Sequence, residues 1–217
     1  MTGARGQDGL LSPDEVLHRA AERLAQQFTG MVNAETVERV VFESYTALAR
    51  TATVSTHLPS IAEKFSRDRL TALAQSRGMI AKPVPEILYV CVQNSGRSQM
   101  AAAITRHLAG DRVHVRSAGS QPGSGILPSV VAVLAEVGID VSEEFPKPLT
   151  DDVVRAADAV ITMGCGDACP FYPGKRYLDW DLQDPADLDL DGIRQVRDEI
   201  RRHVEELLTE LSPVTTP

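Results

Sequence analysis

The segment Cys91-Val-Gln93-Asn94-Ser95-Gly96-Arg97-Ser98 sets a thiol and a guanidinium with five residues between them. At that spacing the intervening backbone N–H groups can curl around one tetrahedral oxyanion, and Arg97 can close the ring bidentately. A helix starting at Arg97 would aim its positive dipole end at the same point. Those fields favour thiolate over thiol at Cys91, and Ser98 can donate a hydrogen bond to it. Asn94, an amide inside a tight loop, reads as a side-chain brace rather than a reactant. Gln93, Asn94, Ser95, Gly96, Arg97 and Ser98 are therefore the expected anion-binding set. The bland alternative makes Cys91 a small buried hydrophobe, and it leaves Arg97 and the polar run before it unexplained.

Two other cysteines, Cys165 and Cys169, lie four residues apart. On a helical or turn-like backbone their Cα atoms would stand about 6 Å apart, inside the disulfide window, although inert packing is the competing reading. The histidines (His18, His57, His107, His114, His203) are scattered without ligand spacing, so no metal centre is expected. Asp179, Asp181, Asp184, Asp187, Asp189 and Asp191 crowd one stretch that reads most simply as a solvated acidic loop, with Asp189 capping the helix behind it. Asp184 alone precedes a proline, which holds the chain extended before it turns, and it is the candidate for proton transfer.

The elements that must position these residues fall into two textures. Residues 12–77 read as three amphipathic helices: Ser12-Pro13-Asp14-Glu15 opens the first and Asn33 caps the second. The third runs from about Leu58 to Ser76. Its apolar phase shifts near Arg67, which predicts a kink or break there. Gly78, Pro83 and Pro85 then read as a linker, so the expected division is a three-helix bundle over residues 1–82 and a second domain over 83–217. In that second part, apolar runs at Ile87–Cys91, Val113–Arg116, Asp158–Met163 and Tyr177–Trp180 alternate with helical patterns. Thr150 is expected to cap the helix before the third run. This alternation predicts an α/β fold with about four parallel strands covered on both faces, and ligands bound beyond the strands' C-terminal ends.

From about Glu86 to Leu211 the chain resembles the low-molecular-weight protein tyrosine phosphatases, and within them the phosphatase-like arsenate reductases coupled to thioredoxin. The resemblance rests on Cys91, Asn94, Arg97 and Ser98, on Ser117-Ala118-Gly119 and on Asp184-Pro185. It implies that Cys91 is the nucleophile, Arg97 and the loop amides the oxyanion clamp, and Asp184 the general acid. It also implies that Cys165 and Cys169 resolve the Cys91–arsenic adduct by a thiol/disulfide relay, in an order the spacing leaves open. On this reading the substrate is arsenate, no cofactor is tightly bound, and electrons come from thioredoxin or from a low-molecular-weight thiol with a glutaredoxin-like partner.

A tyrosine phosphatase is the alternative, and Ala186-Asp187 speaks against it by replacing the aromatic wall that phosphatases of the family place after Asp-Pro. A second alternative is a non-enzymatic redox- or arsenic-responsive interaction protein. The first 82 residues carry ten basic and nine acidic side chains and the rest twelve and twenty-one, so no basic surface for nucleic acid is expected. No run approaches the roughly 18 apolar residues of a membrane helix, and the N-terminal segment has no signal-like core, so a cytoplasmic location is expected. The near-neutral helices are expected to pair with a second copy or to dock on a partner.

Overall fold

The computed structural model describes residues 12–52, 57–164 and 169–211. Three helices come first: α1 (Pro13–Gln27), α2 (Ala34–Ala49) and α3 (Leu58–Ser76). Ser12 and Glu15 close a reciprocal capping box on α1, and Asn33 Oδ1 accepts the Thr36 N–H at 2.8 Å on α2. Leu17, Leu24, Phe28, Val37, Val41, Phe65 and Leu70 fill the space between the three helices.

Behind them β1 (Glu86–Cys91), β2 (His114–Gly119), β3 (Ala159–Met163) and β4 (Arg176–Asp179) form one parallel sheet in the order β2-β1-β3-β4. Helices α4 (Arg97–Ala109), α5 (Pro128–Ala135) and α7 (Leu190–Leu211) cover one face, where Ile87, Tyr89 and Cys91 meet Met100, Val133 and Ile200. The other face holds Leu88, Val90 and Val160 against Val153 and Val154 of α6 (Asp151–Ala156) and Ala72 of α3. Because both faces of β1 are covered, all six of its residues are buried.

Helix α3 is continuous, and the break expected near Arg67 is absent. The shifted phase has another cause: one side of α3 faces α1 and α2, while Ala72 on another side joins the cluster of α6 and the sheet, so the helix has two packed sides. The expected cap at Thr150 also differs. Thr150 stands at the N-terminal boundary of α6 but makes no capping bond, and its hydroxyl is buried without a partner. Asp189 does cap α7, accepting the Gly192 N–H at 2.8 Å.

Polar contacts lock α3 to the sheet. Buried Arg69 reaches Ser44 of α2 at 3.1 Å, Glu43 at 3.2 Å and Asp152 of α6 at 3.3 Å. Glu86, 2% exposed, accepts from Gln75 of α3 (2.7 Å) and Arg116 of β2 (3.0 Å), and lies 3.1 Å from the His114 ring. Burial pushes the Glu86 carboxyl up, but the His114 hydrogen bond and the charges of Arg116 and His114 outweigh it and hold the pKa at about 2. A depressed carboxyl stabilises the fold above its ordinary value of 4.5 and loses that contribution as the pH falls towards 2. Glu86→Gln should therefore destabilise the protein by about 3 kcal/mol at neutral pH, since Arg116 is left unpaired in the interior. Urea unfolding of both proteins between pH 7 and pH 2 checks this; parallel stability curves through the acid limb would remove the assignment.

Candidate active site

In the β2-β1-β3-β4 order the connection after β1 runs to one edge of the sheet and the connection after β3 to the other, which opens a crevice at the C-terminal end of β1. Cys91 is the last residue of β1 and pairs in register with Gly119 of β2 and Met163 of β3. Its sulfur is 3.0 Å from Ser98 Oγ and accepts the Asn94 N–H at 3.2 Å.

The loop after Cys91 is held from its outer side. The carbonyls of Cys91, Val92, Gln93 and Ser95 accept N–H bonds from Ser120, Gln121, Gly123 and Leu127 at 2.8–3.1 Å. A planar trans peptide points its N–H opposite to its C=O. Tying these carbonyls outward therefore turns the N–H groups of residues 92, 93, 94 and 96 inward, towards the space beside the Cys91 sulfur. Helix α4 starts at Arg97 and adds its positive end to the same space.

Asn94 sets the shape of the turn. Among the described residues it is the non-glycine residue with a positive φ, +50°. Its side chain is fully buried and braced: Oδ1 accepts from the Lys147 N–H (2.8 Å) and Gln99 Nε2 (3.1 Å), and Nδ2 donates to Ser98 Oγ (2.7 Å). That last bond occupies a serine lone pair and leaves the hydroxyl proton for the Cys91 sulfur.

Arg97 closes the ring. Its Nη2 lies 2.5 Å from Asp184 Oδ2 and its Nη1 donates to the Leu182 carbonyl at 3.2 Å, while Nε is buried with no hydrogen-bond partner. Two glycines permit these approaches. A Cβ on Gly96 would come within 2.9 Å of Pro185 Cγ, so the bare backbone there lets the Asp184-Pro185 turn dock on the loop. Gly164, at φ +72°, would set a Cβ 3.0 Å from Arg97 Nη1, so the chain leaving β3 passes directly over the guanidinium.

Of the crowded aspartates, the structure brings Asp184 to Arg97. Asp179 instead bonds Thr162 Oγ1 at 2.5 Å, Asp191 pairs with Arg194 at 2.6 Å, and Asp181 and Asp187 are exposed. Cys91, Asn94, Ser95, Gly96, Arg97, Ser98 and Asp184 thus gather at one point, with Gln93 exposed on the rim. Cys165 lies outside the described residues. Cys169 packs with Tyr172 and Tyr177 against the cluster on the opposite face of the sheet from Cys91. The sequence reading missed Gln99, Lys147 and the Leu182 carbonyl. Their contacts span from 5 to 85 residues of chain, and no local pattern announces them. Among the described residues, no three His, Cys, Asp or Glu side chains assemble as a metal-binding group.

The family model for low molecular weight phosphotyrosine protein phosphatase matches residues 86–214. A second model, for a protein-tyrosine-phosphatase-like N-terminal domain, matches residues 17–74. Among solved structures, a thioredoxin-dependent arsenate reductase of Corynebacterium glutamicum is 52% identical with a TM-score of 0.85, over 91% of this chain and 96% of that one. A putative arsenate reductase of Halobacterium salinarum is 34% identical over 140 residues, 62% of this chain and 99% of its own length. A glutaredoxin arsenate reductase of Synechocystis is 33% identical over 58% of this chain and 98% of its own. At 91% coverage the likeness to the Corynebacterium protein must include part of the N-terminal helices.

The brace makes a specific prediction. Asn94→Ala leaves the Lys147 N–H without its partner and puts alanine in the left-handed region, so stability should fall by about 2–4 kcal/mol. Asn94→Gly relieves the backbone but not the lost bonds, and should recover only part of that. Thermal unfolding of the three proteins decides the matter: full recovery by glycine would mean the side chain braces nothing.

Proposed function

We propose, on the premise that this chain belongs to the low-molecular-weight phosphotyrosine protein phosphatase family, that it reduces arsenate to arsenite with electrons from an external thiol reductant. The observation that carries this reading is the turning of the loop amides towards the Cys91 sulfur, in a loop whose Arg97 has a buried Nε without a hydrogen-bond partner. A tetrahedral oxyanion supplies the acceptors these donors lack. The names of the relatives from Corynebacterium, Halobacterium and Synechocystis support arsenate as that oxyanion.

In the proposed cycle the Cys91 thiolate bonds to arsenic as a hydroxyl group departs as water, protonated by Asp184, which takes up a proton from solvent once the oxyanion has displaced it from Arg97. The oxyanion competes with Asp184 for Arg97, and the exchange leaves the carboxyl beside the departing oxygen. A second thiolate then attacks the Cys91 sulfur. A disulfide forms, the sulfur–arsenic bond breaks with its electron pair kept on arsenic, and arsenite leaves. The third cysteine attacks that disulfide and frees Cys91. The remaining Cys165–Cys169 disulfide is reduced by an outside dithiol of the thioredoxin type, or by a low-molecular-weight thiol with a glutaredoxin-like protein. Gly164 against Arg97 supports this order of parts, because the chain enters the Cys165–Cys169 segment directly over the anion loop.

The absence of an aromatic after Pro185 disfavours phosphotyrosine. Pro185–Asp187 forms a 3-10 turn that offers exposed Ala186 and Asp187 where a phenyl ring would need a wall.

Cys91→Ser should abolish arsenate-dependent oxidation of reductant. Arg97→Lys should lower kcat/KM by roughly 100-fold, because an ammonium cannot reproduce the planar fork. Of Cys165→Ser and Cys169→Ser, the one that removes the attacking thiol should release no arsenite, and the other should release about one per enzyme and then stop, by the relay stoichiometry. If both keep the full steady-state rate, the relay is wrong and an outside thiol resolves the adduct. Rapid hydrolysis of p-nitrophenyl phosphate without any reductant, alongside no arsenite production, would replace the whole reading with a phosphatase.

A further inference from the structure

The N-terminal helices lie apart from the reacting groups, and the cycle above uses none of their residues. Residues 143–148 form a strap that joins the two. On one side, the Phe145 ring packs against the core of α1–α3. Lys64 of α3 sits 6.0 Å from the centre of that ring, and its Nζ donates to the Glu143 carbonyl at 3.4 Å. On the other side, the Phe145 carbonyl accepts Gln99 Nε2 at 3.0 Å, and the Lys147 N–H donates to Asn94 Oδ1 at 2.8 Å. The Lys147 carbonyl accepts the Gly119 N–H at 2.8 Å, which fixes the start of the segment that ties back the loop carbonyls.

We propose that Phe145 is a positioning residue through which the N-terminal helices hold Asn94, and with it the donors of the anion loop, in binding geometry. The proposal rests on reading that loop as an oxyanion site. Each step is a direct contact: helices to ring, strap backbone to Asn94 and Gln99, Asn94 to Ser98, and Ser98 to the Cys91 sulfur. The strap has a second anchor on the sheet domain, since Glu144 pairs with Arg106 of α4 at 2.8 Å. That anchor fixes the strap along α4. Phe145 sets how deeply the strap seats, because the ring fills the gap between it and the helices. Next to the ring the ends of α2 and α3 line, with Pro146 and Gly123, an open cleft of about 200 Å³. Removing the ring would widen that cleft and let the strap shift.

The test uses the full chain and two probes, inorganic arsenate and inorganic phosphate, with Kd measured by calorimetry well below the unfolding midpoint of every variant. Phe145→Ala should weaken both oxyanions by about tenfold and move the backbone amide resonances of Asn94 and Ser98. Phe145→Tyr, which keeps the ring, should restore binding to within about twofold of the wild type. Leu17→Ala, in the core of α1 away from the strap, should lower the unfolding midpoint while leaving affinity and those resonances unchanged. Should Phe145→Ala fail to fold, Phe145→Leu takes its place, keeping apolar contact but not the ring. Wild-type affinity in Phe145→Ala (or in Phe145→Leu in its stead), or an equal loss in Leu17→Ala, overturns the proposal. A wild-type protein that binds neither oxyanion sinks instead the reading of the loop on which it rests.

Discussion

An anion-binding loop is under electrostatic load before any anion arrives. Its N–H dipoles, the start of α4 and the Arg97 guanidinium all point their positive ends at one place and repel one another. Nothing inside the ring can relieve this except an acceptor, so the shape has to be imposed from outside. The four carbonyls tied back to residues 120–127 do part of this, and the buried amide of Asn94 does the rest. Asn94 suits the position for two reasons that seldom coincide. It tolerates a left-handed backbone better than other side chains, and its amide offers an acceptor and a donor on opposite sides. Serine would reach too few partners, and glycine none.

The acidity of the chain, with 30 acidic against 22 basic side chains, is compatible with binding an anion because charge acts over short range here. At physiological ionic strength exposed charges are screened beyond about 8 Å, whereas the loop donors act at hydrogen-bond distance. Several of the domain's acids are also committed elsewhere. Asp179 bonds Thr162, Asp189 caps α7, and Glu136 pairs with Arg194 and Arg197. Asp184 is the carboxylate at the guanidinium, and it is 45% exposed against 12% for Arg97. A solvated carboxylate is a weak competitor for a buried cation, which an entering oxyanion can displace. The long-range field therefore bears on the rate of encounter rather than on retention.

What the sequence made legible follows the range of the interactions. The capping box at Ser12, the four strands, the Cys91–Ser98 loop and Asp184-Pro185 are written in neighbouring residues, and all of them stand where local pattern places them. The second face of α3 was misread as a break because periodicity assumes one apolar environment, and this helix has two. Thr150 has the residue type of a cap, but residue type does not determine whether the hydroxyl turns towards the helix. Gln99 and Lys147 were invisible because their value lies in one bond each to Asn94, made across the fold.

The same distinction bears on where this chain divides. Composition changes near residue 82, and separate family models match residues 17–74 and 86–214. Packing does not divide there. Arg69 lies in α3 yet needs Ser44 and Glu43 on one side and Asp152 on the other, and a buried guanidinium stripped of either set would be unpaired in the interior. Glu86, the first residue of β1, is in turn bonded to Gln75 of α3. A cut at the linker would thus expose two half-satisfied charges and take Ala72 of α3 out of the cluster that holds Leu88 and Val90. The helices serve as the missing cover on the second face of the sheet. A covered face keeps β1 buried, and the end of β1 is where Cys91 must be held.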